Sequence, residues 1–252
     1  VGVHYITQFF RELTGGMSVE KFDQLPLPYR AIGADLENGK TVIMDHGDLP
    51  LVMRASMSVS GVFPPVPYEN SLVVDGGIVK NMGVDVGRQL CGDAVIAVDV
   101  SSPNANRQKL ESLFAVSEQT INIAVQRDMQ AQIATLTAKD VLIKPDMGKL
   151  TSTDFNQSAE LIAAGEKAAR TKLPSLKRYA LSEEDYRVWQ ESIAARKPPN
   201  QAIAKVEITP TRWVSKSVLK SLLEVHKGEP LDQAALHHSM DGIYARGDFI
   251  RI

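Results

Sequence analysis

The sequence predicts an α/β fold with parallel strands, followed by a smaller α+β unit, and three observations carry that prediction. Ser71-Leu72-Val73-Val74, a helical pattern from about residue 84 to 90, and the run Ala94-Val95-Ile96-Ala97-Val98-Asp99-Val100 read as strand, helix, strand. The last run is apolar almost throughout, as a strand covered on both faces should be, and such a unit points to a mostly parallel sheet flanked by helices. Asn38-Gly39 is a tight-turn pair between two short strand patterns. Pro198-Pro199, inside Arg196–Asn200, resists both helix and sheet and separates the last quarter of the chain from the rest.

Taken in order, Leu27–Leu36 reads as a strand and Lys40–Met44 as its antiparallel partner. Leu49 to Met57 fits a short helix with Asp48 as its N-cap. Ile121, Val125, Met129 and Ile133 recur every four residues and mark one stripe of a long helix. Asp140–Pro145 is a further strand, and Asp154-Phe155 opens a helix with Leu161, Ile162 and Ala169 inward. Beyond the linker, Val206-Glu207-Ile208 alternates as a strand, Val214–Leu223 is helical, and Asp232 caps a helix from Gln233 to Ala245. Gly247–Ile252 begins one more strand. The expected domains are residues 1–195, a linker over 196–203, and a small unit over 204–252.

A chain of 252 residues can bury a sizeable core, and its 44% hydrophobic and 23% charged content is ordinary for a globular protein. The formal net charge of −2 supplies no basic field for nucleic acid or anionic headgroups. Cys91 is the only cysteine, which excludes an intrachain disulfide, and no apolar run approaches the roughly 18 residues of a membrane helix. Val1-Gly2-Val3-His4-Tyr5 has neither an initiating methionine nor a signal peptide, and the final strand stops as it starts; both ends read as cuts in a longer protein.

Asp75-Gly76-Gly77 is the principal chemical candidate. A carboxylate directly after a buried strand is presented at the strand's C-terminal edge, where open α/β sheets bind ligands. The two glycines permit positive φ and a close backbone approach. An aspartate so placed can serve as general base toward a hydroxyl nucleophile, or it can be a turn residue accepting local amide bonds. His4, His46 and His226 are isolated and His237-His238 point to different sides of a helix, so neither a metal site nor a cofactor is expected.

The neighbours of that triplet add a resemblance. Arg54–Val66, with Phe63-Pro64-Pro65, precedes it, and Ile78-Val79-Lys80-Asn81-Met82-Gly83-Val84-Asp85-Val86 follows. The combination resembles the C-terminal half of bacterial patatin-like phospholipases, closely over residues 24–102 and more loosely through Asp154-Phe155 and Leu161–Gly165. The resemblance implies a fatty acyl ester hydrolase with a Ser–Asp dyad and no histidine, in which Asp75 is the base and Gly76 and Gly77 support it. The implied serine sits in a Gly-x-Ser-x-Gly elbow beside a glycine-rich oxyanion loop. Neither occurs in this sequence. Ser56, Ser58 and Ser60 lack the flanking glycines, and Ser60 and Gly83 stand where the family usually has proline. The segment by itself is therefore expected to be inactive, with the missing half of the domain as partner and a phospholipid or other acyl ester as substrate. A homo-oligomer is left open.

Residues 204–252, through Gly228-Glu229-Pro230-Leu231-Asp232 and Ile243–Phe249, resemble a POTRA domain without its closing strand. That second resemblance implies secretion through a fused outer-membrane β-barrel and a cell-surface or secreted location. The alternatives are a non-catalytic secretion or binding module, or a small-molecule-binding α/β domain with a vestigial site.

Overall fold

The computed structural model describes residues 3–15, 19–148, 150, 154–196, 202–209 and 214–247. Its elements, in chain order, are α1 (Val3–Leu13), β1 (Ala31–Asp35), β2 (Thr41–Met44), α2 (Leu49–Ser56), β3 (Val66–Tyr68), β4 (Ser71–Asp75), α3 (Gly77–Lys80), α4 (Val84–Cys91) and β5 (Ile96–Val98). They continue with α5 (Leu113–Ile133), β6 (Val141–Ile143), α6 (Ser158–Thr171), α7 (Leu173–Leu176), α8 (Glu183–Ala195), α9 (Lys216–Ser221) and α10 (Gln233–Tyr244).

The described strands form a four-stranded sheet in the order β2-β1-β4-β3 and a separate pair, β5-β6. Every pairing in the larger sheet is antiparallel, and only β5-β6 is parallel. The expectation of a mostly parallel sheet is thereby corrected. Two short hairpins fix the antiparallel order, because only a long crossover can return a strand in the parallel sense. In the first hairpin Gly39 takes φ 71, as the Asn38-Gly39 pair demands, and its amide donates to the Asp35 carbonyl at 2.8 Å. The buried Asp35 carboxylate then accepts from the Glu37 amide, the Asn38 carboxamide and the Ser71 hydroxyl. These bonds, the Glu37 amide first, hold it below the usual carboxylate range.

The strand–helix–strand unit also proves to lie elsewhere. β4 pairs with β1 and β3, not with β5. The parallel crossover is β5-α5-β6, with Ile96 opposite Val141 and Val98 opposite Ile143. Nor is β5 covered on both faces: Ala97 is buried, but Ile96 and Val98 are exposed, so an apolar run fixes neither the partner of a strand nor its burial.

α2 packs across one face of the larger sheet, sealing a cluster of Phe22, Leu25, Ala31, Met44, Leu49, Val52, Ala55, Val66 and Val73. Side chains alternate along a strand, so Ala34 and Val74 are buried on the opposite face, where α3 lies against β1. α5 backs that face: Met129 is fully buried, the Asp128 carboxylate accepts from the Asn81 amide at 3.0 Å, and the Gln132 carboxamide oxygen accepts from the Val84 amide at 3.1 Å. The predicted α5 stripe therefore bends the truth only at its start, where Ile121 is exposed. In α6, by contrast, Ile162 is 70% exposed rather than inward.

The C-terminal zone has the two expected helices around a small cluster of Val214, Leu219 and Ile243. Asp232 caps α10, accepting from the amides of Ala234 and Ala235. Val206–Ile208 is not a strand, because it has no ladder partner among the described residues; the only pairing nearby is an isolated bridge between Ala202 and Pro230. Among the described residues the POTRA-like βααββ pattern is thus represented there by its helices alone. Most of the predicted linker, from Lys197, and the last strand, from Asp248, lie outside the described residues. α10 meets α1: the Tyr5 and Tyr244 rings pack edge-on at 6.0 Å, the Gln8 carboxamide donates to the His237 carbonyl, and His237 Nδ1 lies 2.9 Å from the Glu12 carboxylate.

Asp140 ties α4 to the parallel pair. Its carboxylate accepts from both Arg88 Nη atoms, from the Val95 amide, and from the amide and hydroxyl of Thr137. The side chain is 0% exposed, and the Arg88 guanidinium, followed by the Thr137 amide, holds its carboxyl far below the usual carboxylate range. A folded-state pKa below the unfolded one stabilises at every pH above the ordinary aspartate value and loses that contribution as pH falls through the folded value. Asp140→Asn is accordingly expected to lower Tm at pH 7, with the gap to wild type narrowing under strong acid, as measured by thermal unfolding followed by circular dichroism.

Candidate active site

The site forms where β4 ends and the chain turns into α3. Asp75 is the last residue of β4; its amide donates to the Ser58 carbonyl at 3.0 Å, and its Oδ1 accepts from the Gly77 amide at 2.7 Å. That bond closes a turn over Gly76, and the amides of Val79 and Lys80 then donate to the Gly76 carbonyl to start α3.

The glycines are required for space, not for positive φ. Gly76 has φ −71, an ordinary right-handed value. A Cβ on it would lie 2.3 Å from the Ile32 carbonyl oxygen of β1, a backbone atom that cannot move aside. A Cβ on Gly77 would lie 2.9 Å from Asp75 Oδ1 and 3.0 Å from the Asn81 carboxamide oxygen. The first glycine lets β4 turn tightly against β1; the second keeps the carboxylate free of crowding. Gly83, at φ 61, does adopt the left-handed conformation, which proline could not.

Asp75 is partly buried, and burial pushes its carboxyl above the usual range, opposed only in part by the Gly77 amide. It faces a cavity of about 350 Å³ lined also by Tyr29, Arg30, Ile32, Ser56, Lys80 and Asn81. A carboxylate of raised basicity at the wall of a solvent-reachable cavity can accept a proton from a hydroxyl held there.

The three serines separate. Ser56 reaches the cavity, but its hydroxyl donates to the Ile32 carbonyl at 2.7 Å. Ser58 is fully buried and donates to the Arg54 carbonyl, while Ser60 is exposed in a turn. Among the described residues none of the three hydroxyls is hydrogen-bonded to the Asp75 carboxylate. His46 lies in a surface cluster with Asp45 and Glu69, and His237 and His238 pair with carboxylates around α10. Among the described residues no group of three or more histidine, cysteine or acidic side chains is placed to hold a metal ion. No described helix is long and apolar enough to cross a membrane.

Sequence reasoning located Asp75 but not the rest of the wall. Lys80 and Asn81 carry no mark of the site in the sequence, although a helix begun at Gly77 brings them back to it within about one turn. Arg30 and Tyr29 precede β1, and only the β1-β4 pairing brings them near residue 75.

Two substitutions test this geometry. Gly76→Ala must displace the β1 or β4 backbone and is expected to cost about 1–3 kcal/mol in denaturant unfolding. Asp75→Asn keeps an acceptor for the Gly77 amide but removes a charge that burial disfavours. A raised folded pKa means that stability falls as pH rises from the ordinary aspartate range to the folded value. The Asn variant should therefore melt above wild type at neutral pH, and the difference should vanish near the ordinary aspartate range.

Known proteins give this geometry a context. Residues 5–87 match the family model for patatin-like phospholipases. The patatin-like phospholipase domain-containing protein 7 of Mus musculus is 36% identical over 98 residues, covering 38% of this chain and 7% of that protein. Two uncharacterized NTE family proteins of Mycobacterium tuberculosis are also similar. One is 27% identical over 175 residues, covering 60% of this chain and 30% of the relative. The other is 34% identical over 95 residues, covering 38% of this chain and 26% of the relative. The chain thus spans less than a third of the length of these relatives. The family match does not extend to residues 204–252, and these similarities lend no support to a POTRA domain or an outer-membrane fusion. The stretch that matches the patatin-like phospholipase model, from residue 5 to residue 87, holds the whole antiparallel sheet and Asp75-Gly76-Gly77.

Proposed function

We propose that the protein containing this chain is a lipid acyl hydrolase in which Asp75 is the general base of a Ser–Asp dyad. The observation that carries the reading is the partly buried Asp75 carboxyl, shifted upward by burial, at the wall of a cavity inside the patatin-like stretch. An ordinary surface aspartate is too weak a base to accept a serine proton efficiently; desolvation brings it closer to the working pH.

In this mechanism Asp75 takes the proton as a serine oxygen bonds to the ester carbonyl carbon. It returns that proton to the alcohol oxygen as the ester C–O bond breaks. Water, activated by the same carboxylate, then releases the fatty acid from the acyl-serine. The nucleophile and the backbone donors for the oxyanion belong to residues outside this sequence, which contains no Gly-x-Ser-x-Gly. The partner is accordingly the remainder of the domain, and the segment alone supplies only a base. Secretion to the cell surface would follow only from the POTRA-like reading of residues 204–252, for which the fold supplies two helices.

The test uses the complete protein and a short acyl ester such as p-nitrophenyl butyrate. Asp75→Asn is expected to lower kcat by about 10²–10⁴-fold. Wild-type kcat/KM should fall on acidification around a pKa above the ordinary aspartate range, since the protonated carboxyl cannot accept a proton. Full activity in Asp75→Asn would end the assignment. Complete loss in Ser56→Ala would instead make the serine inside this cavity the nucleophile.

A further inference from the structure

Across Gly77 the Asp75 carboxylate meets a second acceptor. The position that a Gly77 Cβ would take lies 2.9 Å from Asp75 Oδ1 and 3.0 Å from Asn81 Oδ1, so the two oxygens border one small space beside the Gly77 Cα. Both residues line the cavity at the β4–α3 turn. Asn81 is held at two points by α5: its amide donates to Asp128 Oδ2 at 3.0 Å, and its Nδ2 donates to Sδ of the buried Met129 at 3.1 Å. A thioether sulfur can only accept, so the NH2 end of the carboxamide belongs on Met129 and its carbonyl end faces Gly77. No described residue donates to that carbonyl oxygen. Two acceptors bordering one space call for a donor with two hydrogens. A single water, with hydrogen bonds of about 2.7–2.8 Å, spans acceptors so placed.

We propose that Asn81 Oδ1 holds the water that hydrolyses the acyl-enzyme, accepting one of its hydrogens while Asp75 accepts the other. The inference rests on the hydrolase reading above. The water oxygen bonds to the acyl carbonyl carbon as the O–H bond facing Asp75 breaks, and that proton passes to the carboxylate. The tetrahedral intermediate then collapses by cleaving the bond from carbon to the serine oxygen, which takes the proton back from Asp75. The second O–H stays intact on Asn81 and fixes which lone pair of the water points at the carbonyl. Serine attack in the preceding step has a single O–H to give, and gives it to Asp75, so Asn81 belongs to deacylation. Gly77 thereby gains a purpose beyond relieving the carboxylate: any side chain there would stand between the two acceptors.

The experiment lets the complete protein turn over p-nitrophenyl butyrate in buffer containing methanol, and quantifies methyl butyrate against butyric acid. Methanol and water compete for the same acyl-enzyme, so the ratio of ester to acid does not depend on which step limits turnover. Methanol has one O–H, which it gives to Asp75, and none to give to Asn81. The ratio is expected to rise roughly 10-fold in Asn81→Ala, as loss of a hydrogen bond made by water alone predicts. A merely structural role for Asn81 would slow both products alike and leave the ratio fixed. Met129→Leu keeps the buried bulk but removes the sulfur acceptor, and should move the ratio the same way by less; it carries the test if Asn81→Ala does not fold. An unchanged ratio in the folded variants overturns the assignment of Asn81. If Asp75→Asn abolishes turnover while that ratio stays fixed, only the water site fails. If Asp75→Asn retains full turnover, the hydrolase reading itself fails.

Discussion

The approach of the Gly76 backbone to the Ile32 carbonyl is the contact on which the rest of the site depends. There is no room for a Cβ between them. The same carbonyl accepts the Ser56 hydroxyl, so α2, β1 and the β4–α3 turn converge on one oxygen atom. Because the turn is this tight, α3 begins at once and the Asp75 carboxylate is held by the amide two residues on. Its position then follows from backbone geometry, not from a flexible side-chain partner. α5 completes the arrangement from behind, through Asp128 and Gln132 on the amides of Asn81 and Val84.

Much of this was legible because it is local. Asn38-Gly39 announces its hairpin, since a left-handed residue is needed there and glycine supplies it. Asp75-Gly76-Gly77 announces a carboxylate at a strand end. What the local pattern cannot encode is the partner. Ser71–Asp75 and Ile96–Val98 are both short apolar strands, yet the first joins an antiparallel sheet and the second a parallel pair. Val206–Ile208 has the alternation of a strand but no described ladder to complete it. Ile162 fits a helical stripe but is exposed because nothing described covers that side of α6.

The candidate site divides along the same line. Asp75 was found from three consecutive letters, whereas Arg30 and Lys80 stand fifty positions apart and carry no mark in the sequence of their shared cavity. Of the two properties a glycine brings, positive φ and close approach, only close approach operates at Gly76. Conformational freedom is a property of the residue, whereas proximity to Ile32 is a property of the fold.

The seam between α1 and α10 joins residues more than two hundred positions apart. α1 also packs on α2, to which Arg11 is pinned through Asp48. The C-terminal helix is therefore connected, through two helix contacts, to the element that carries Ser56 against the Ile32 carbonyl. In mechanical terms the chain is a closed circuit rather than a line with a tail. The turn at Asp75 is linked in part to residues near the other end of this sequence.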